Sequence, residues 1–157
     1  GSTFTGYSAW LANEGSTVNI GLTDTEQTRT TDGYQLNEAT ALNEAGQALG
    51  YAYRFNGSTD TGQSAWLYIG ASTTIIGLTD AGHTNSSTIY QYNEATALNE
   101  AGQAVGYAQR YNGSTFTGYS AWLANDGSTV NIGLTDAEHT RTTYGYKLNE
   151  ARSKKHT

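Results

Sequence analysis

The chain repeats itself every 56 residues, and no other feature limits its fold as strongly. Gly1-Ser2-Thr3 returns as Gly57-Ser58-Thr59 and Gly113-Ser114-Thr115. Ser8-Ala9-Trp10-Leu11 returns at 64–67 and 120–123, and Ile20-Gly21-Leu22-Thr23-Asp24 at 76–80 and 132–136. A repeat of this kind is one supersecondary unit that cannot bury its own apolar face and must stack on its neighbours. The units run 1–56, 57–112 and, shortened, 113–151, with a basic tail at 152–157. Residues 1–38 match 113–150 at 33 of 38 positions but 57–94 at only 21 of 38, an A-B-A order that points to duplication of a two-unit block. The third copy leaves the template after Ala151, so the chain is expected to be part of, or to assemble into, a larger repeat structure.

Each full unit reads as two β-hairpins. In the first, a strand over 8–13 turns through Glu14-Gly15 into a strand over 17–22, where Val18, Ile20 and Leu22 alternate with Thr17, Asn19 and Gly21. That period of two marks a half-buried strand. Asp126-Gly127 supplies the same turn chemistry in the third copy, whereas Gly70-Ala71 in the second allows a different turn. In the second hairpin, Asn43-Glu44-Ala45-Gly46 fits a type I turn closed by a glycine bulge. On its returning strand Ala48, Gly50 and Ala52 share one face, with Leu49, Tyr51 and Tyr53 on the other. A helix over 36–47 is the rival, favoured by its Leu, Ala, Glu and Gln but interrupted by Gly46. The Thr-rich stretch 23–35 reads as a surface loop.

Two hairpins make four strands, so the expected fold is all-β: repeated four-stranded antiparallel units of β-propeller blade type. A ring needs about four blades, and this chain encodes fewer, so it is expected to form an incomplete ring with exposed edges and apolar faces. Such ends recruit further copies of the same chain, into an oligomer or a filament.

The segment Ala97-Leu98-Asn99-Glu100-Ala101-Gly102-Gln103-Ala104-Val105-Gly106-Tyr107-Ala108, nearly repeated at 41–52, resembles the HAF family of extracellular bacterial repeats. The family pattern is apolar-Asn-x-x-Gly-Gln-apolar-apolar-Gly-Tyr, followed by a stretch like Ala121-Trp122-Leu123-Ala124-Asn125-Asp126-Gly127. The likeness covers both hairpins, while the longer Thr-rich loop and the uniformity of the copies depart from it. It implies propeller-like β architecture outside the cell and no catalytic residues.

Composition narrows the function classes. A net charge of −6 argues against nucleic acid, and five of the eight basic residues lie at Arg141 or later. No apolar run is long enough to span a membrane. With no Cys there is neither a disulfide framework nor a zinc–thiolate site, and no cofactor or metal site is expected. The titratable residues mostly recur with the period, whereas catalysis converges unlike residues on one place. No enzyme is therefore expected. Asp24, Asp80 and Asp136 read as acceptors of loop N–H groups, Glu44 and Glu100 as solvated turn tips, and His83 and His139 as weak metal candidates without a fixed partner.

The primary expectation is a structural or adhesive extracellular module acting through self-association. The alternative is a lectin-like propeller with one glycan site per repeat, built from Trp10, Trp66, Trp122, Tyr51, Tyr107, Arg54 and Arg110. In that alternative the aromatic rings form a platform and the arginines orient the sugar. The competing reading of the same residues is packing: Trp between sheets, with Tyr hydroxyls at the wet rim. The sequons at Asn56, Asn85 and Asn112 arise easily by chance in a chain this rich in Ser and Thr.

Overall fold

The computed structural model describes residues 3–141 and 145–151. The chain is all-β. Its strands are β1 (Gly6–Tyr7), β2 (Trp10–Asn13), β3 (Ser16–Asn19), β4 (Gln35–Leu42), β5 (Ala48–Asn56), β6 (Thr59–Ile69), β7 (Ser72–Ile76), β8 (Gln91–Leu98), β9 (Ala104–Asn112), β10 (Thr115–Asn125) and β11 (Ser128–Asn131). Strands β4 to β7 pair in sequence order, each antiparallel to the next, and β8 to β11 repeat the arrangement. The tail 152–157 lies outside the described residues.

Both anticipated hairpins are present, and no helix forms over 36–47. Asn43 N–H donates to the Gln47 carbonyl at 3.0 Å and Gly46 N–H to the Asn43 carbonyl at 3.1 Å, with Gly46 at φ +75°. Tertiary pairing overrides the helix propensity of this segment. The first-hairpin turn is alike in all three copies: Glu14 and Gly15, Gly70 and Ala71, Asp126 and Gly127 all have positive φ. Ala71 thus occupies a left-handed conformation that usually falls to Gly or Asn.

A third hairpin also forms. Asn56 pairs with Thr59 around Gly57-Ser58, so β5 and β6 form one ladder across the 56/57 boundary. The pattern recurs at 112/113. A four-stranded set thus takes its first two strands from one sequence unit and its last two from the next.

The expected purely antiparallel arrangement is corrected to a mixed sheet. Short parallel pairings join successive sets: Gly6 with Gln35, Gly62 with Gln91, and Gly118 with Lys147, each 56 residues from the last. The cause is the glycine. All three have φ between +107° and +109°, and two sit beside bulges in the strand. A Cβ there would lie 1.6–1.8 Å from the carbonyl oxygen of the residue paired across the seam. Only glycine lets two backbones approach so closely.

The seams are filled from both sides. Trp66 packs with Ala48 and Ala52 of its own set and with Ala9, Ile20 and Leu22 of the preceding one. Trp122 packs in the same way with Ala104, Ala108, Ala65, Ile76 and Leu78. The ring lies over Gly50 or Gly106, where a Cβ would come within 2.4 or 2.5 Å of the indole. This explains the small-residue face of the returning strand.

An asparagine amide clasps each seam, buried at Asn37 and Asn93 and partly exposed at Asn149. Asn37 Nδ2 donates to the Leu22 carbonyl at 2.8 Å, while its Oδ1 accepts from Leu22 N–H at 2.7 Å. Asn93 holds Leu78 and Asn149 holds Leu134 in the same two-bonded way. Gly21, Gly77 and Gly133 leave room for these side chains. In the Ile-Gly-Leu-Thr-Asp motif, Ile and Leu are core, Gly admits the clasp, and Asp caps the following turn.

Candidate functional site

Strand alternation decides which of the anticipated binding residues can meet. Trp66 is paired with Gly50 and Ala65 with Tyr51. Trp66 and Tyr51 therefore point from opposite faces of one sheet. The expected platform of one Trp, one Tyr and one Arg per unit is not assembled. Trp66 and Trp122 are 0% exposed, with their indole N–H groups buried and without an acceptor among the described residues. A buried ring offers no face to a sugar, so packing accounts for both. Trp10, at the corresponding position of the first copy, is 64% exposed.

The two arginines differ sharply. Arg54 Nη1 donates to Gln91 Oε1 at 2.6 Å, and Nη2 to Glu26 Oε2 at 3.2 Å. One repeat later, Lys147 stands in place of Gln91 and Gly82 in place of Glu26. Arg110 Nη1 is buried with no acceptor among the described residues. Lys147 Nζ donates to the Thr135 carbonyl at 2.8 Å, matching the Gln91 amide N–H on the Thr79 carbonyl. The ammonium thus replaces the donor end of the amide and leaves no acceptor for Arg110.

The capping aspartates behave as anticipated: Asp24 accepts from Glu26 N–H, Asp80 from Gly82 N–H and Asp136 from His139 N–H. Glu44 and Glu100 are exposed turn residues as read, and the Glu100 carboxylate also accepts from Glu44 N–H at 3.1 Å across the seam. Asn43 Nδ2 likewise donates to the Asn99 carbonyl. Among the described residues, no group of three or more His, Cys, Asp or Glu side chains could hold a metal.

One constellation was invisible in the sequence. His83 Nδ1 lies 2.9 Å from Asp80 Oδ2, and its Nε2 lies 3.0 Å from Ser120 Oγ. Partial burial pushes the Asp80 carboxyl up, but the hydrogen bond and charge of His83 and the Gly82 N–H outweigh it and hold it below its ordinary value. An Asp–His–Ser chain can activate a serine only if an electrophile reaches the hydroxyl. Ser120 is 2% exposed, and in the first copy the histidine position is filled by the fully buried Gln27. A glutamine cannot be a general base. In all three copies the side chain at this position sits on its own capping aspartate, Gln27 on Asp24, His83 on Asp80 and His139 on Asp136. Of the three, His83 alone among the described residues also reaches the next set, through Ser120.

A groove of about 490 Å³ lies between the β4–β5 and β8 strands, with β6 contributing Gln63. It is lined by Thr40, Ala41, Leu49, Gly50, Tyr51, Gln63, Tyr92, Glu94, Ala95 and Thr96. Tyr51 OH donates to Glu38 Oε2 at 2.7 Å. Tyr92 OH and Tyr107 OH converge on Glu94 Oε2 at 2.8 and 2.5 Å. The hydrogen bond to Glu38, reinforced by burial, pushes the Tyr51 phenol up to about 12. Burial and then the Glu94 carboxylate push Tyr92 and Tyr107 well above the usual range. Sequence reading singled out Tyr51 and Tyr107 but missed Gln63, Tyr92 and Glu94. The available signal was that Gln63 and Tyr92 break the repeat. No family model, curated protein or solved structure matches this chain.

Proposed function

We propose that the chain is a non-catalytic, extracellular β-repeat module of propeller type that joins copies of itself end to end, serving a structural or adhesive role. The observation that carries this reading is the complementarity of its two ends. Inside the chain, a buried Trp is twice covered by an Ile and a Leu from the preceding set. At one end Trp10 lies uncovered, and at the other Ile132 and Leu134, the counterparts of Ile20 and Leu22, are 47% and 54% exposed. The two ends thus expose the Trp side and the Ile–Leu side of a contact that the molecule makes twice, the Trp10 side lacking among the described residues the strand that backs Trp66 as β5.

The free edges support the same reading. Strand β6 is paired on both sides by β5 and β7, while β2, its counterpart, pairs only with β3 among the described residues. An unpaired edge beside an apolar face is a template for another chain. Because the two surfaces differ, the contact is heterologous and gives a ring if its rotation closes and a filament if it does not. The extracellular setting is supported by the HAF-like hairpin and by a surface of hydroxyls and amides, only 14% of residues being charged.

Light scattering across a concentration series tests the reading. The wild-type chain is expected to grow beyond monomer mass, and Trp10→Asp or Ile132→Asp to cap opposite ends. Mixed in equal amounts, the two variants should stop at pairs, because each keeps one working end. A wild-type chain that stays monomeric at high concentration overturns the proposal.

A further inference from the structure

We infer that the groove between β4–β5 and β8 is a binding site for a neutral saccharide, present once per chain. This goes beyond the self-association reading and does not depend on it.

The groove is asymmetric with respect to the repeat. Its counterpart at the next seam would have Tyr107 in place of Tyr51 and Tyr119 in place of Gln63. There the rings of Tyr107 and Tyr119 pack edge-on at 5.4 Å, and Leu148 replaces Tyr92. In the middle seam the shorter Gln63 leaves the space beside Tyr51 open, and Tyr92 adds a second ring to its wall. The two residues that depart from the outer copies therefore create the opening and the aromatic wall together. That is the convergence of unlike residues that binding sites require and strict repetition cannot supply.

The polar groups specify the ligand. Gln63 is 8% exposed, and its Nε2 donates to the Asn93 carbonyl at 3.1 Å. Its Oε1 has no donor among the described residues, yet it is not sealed from the groove. Glu94, in the wall of the groove, receives two phenol hydroxyls on Oε2 and keeps Oε1 free of donors among the described residues. The site thus offers acceptors in excess, so the ligand must bring O–H or N–H donors. The Glu94 carboxylate repels an acidic sugar. The Tyr51 and Tyr92 rings in the wall suit the C–H surface of a pyranose, which neither a simple anion nor a small polar solute provides. The volume falls in the range of small-molecule sites.

The test is isothermal titration of the wild-type chain with cellohexaose, xylohexaose, mannohexaose and chitohexaose, with spermidine as a cationic control. At least one hexasaccharide should bind at one site per chain. Gln63→Tyr and Tyr92→Leu install residues that equivalent positions already carry, so the fold should tolerate them. Each should weaken binding at least tenfold, with the melting temperature little changed. Binding by none of the four sugars, binding unchanged in Gln63→Tyr, three sites per chain, or preference for spermidine would each overturn the inference. Light scattering on the same samples separates this outcome from self-association.

Discussion

Trp66 and Trp10 occupy one position of one repeat, yet the first is sealed between two sheets and the second stands in solvent. The difference teaches that nothing local to the tryptophan decides its role. Each set of strands supplies half of a core, and its neighbours supply the rest. The interior is where both halves are present, and the ends are where one is missing.

The largest test of this contrast is truncation of the rings. Trp66→Ala or Trp122→Ala should cost about 3–5 kcal/mol in urea unfolding, the range for deleting a buried aromatic. Trp10→Ala should change monomer stability by about 0.5 kcal/mol or less, as at ordinary surface sites. A large loss at Trp10 would mean the end is covered in solution. The amide clasps come next. Asn93→Ala leaves a buried N–H and C=O of Leu78 unpaired and should cost about 2–4 kcal/mol, whereas water can reach the Asn149 clasp and its loss should cost about 1 kcal/mol or less.

These contrasts also mark how far the sequence could be read. The hairpins were legible because strand alternation and glycine turns are local signals. The turn at 43–46 in particular is specified by four adjacent residues. The junction hairpin was obscured because Asn56-Gly57 falls where the sequence repeat restarts, although Asn-Gly is a strong turn signal. The parallel seams depend on Gly6, Gly62 and Gly118 meeting residues 29 positions away. The Asp80–His83–Ser120 chain and the groove likewise join residues from separate units. Periodicity announces that such contacts exist but not which side chains make them. Nor does the sequence show that Trp66 and Tyr51, though close in the fold, face opposite ways.

A smaller test compares the two arginine sites. Lys147→Gln restores to Arg110 the acceptor that Gln91 gives Arg54 and should stabilise the chain by about 1 kcal/mol in the same assay. No gain would show that Arg110 already has a partner in solution. Smaller still is the change at Ile89, a β-branched residue at φ +53° where the other copies have Gly33 and Gly145. Ile89→Gly should relieve strain worth about 0.5–1 kcal/mol after the added chain entropy of glycine is subtracted.

The last test is spectroscopic and isolates the groove. Because Tyr51 is pushed up to about 12, its neutral form is favoured in the folded chain. The associated stability is complete below about pH 10, the unfolded value, and is lost as pH rises toward 12. Absorbance titration of tyrosinate should show several late-ionising phenols, one of which moves toward pH 10 in Glu38→Gln. An unchanged titration would remove Glu38 as the cause.

The seams also set how the molecule bears force. Within a set, β5 and β6 are zipped over nine residue pairs, whereas the backbone pairing of β6 with β8 across a seam spans two. Tension between distant points of an assembled array would therefore peel the sets apart at their seams before any ladder unzips. Each parted seam could then release the linker between sets, residues 77–90, or roughly 50 Å of extended chain at about 3.4 Å per residue. An array of such units would lengthen in steps and hold its remaining links, as a tether does under shear.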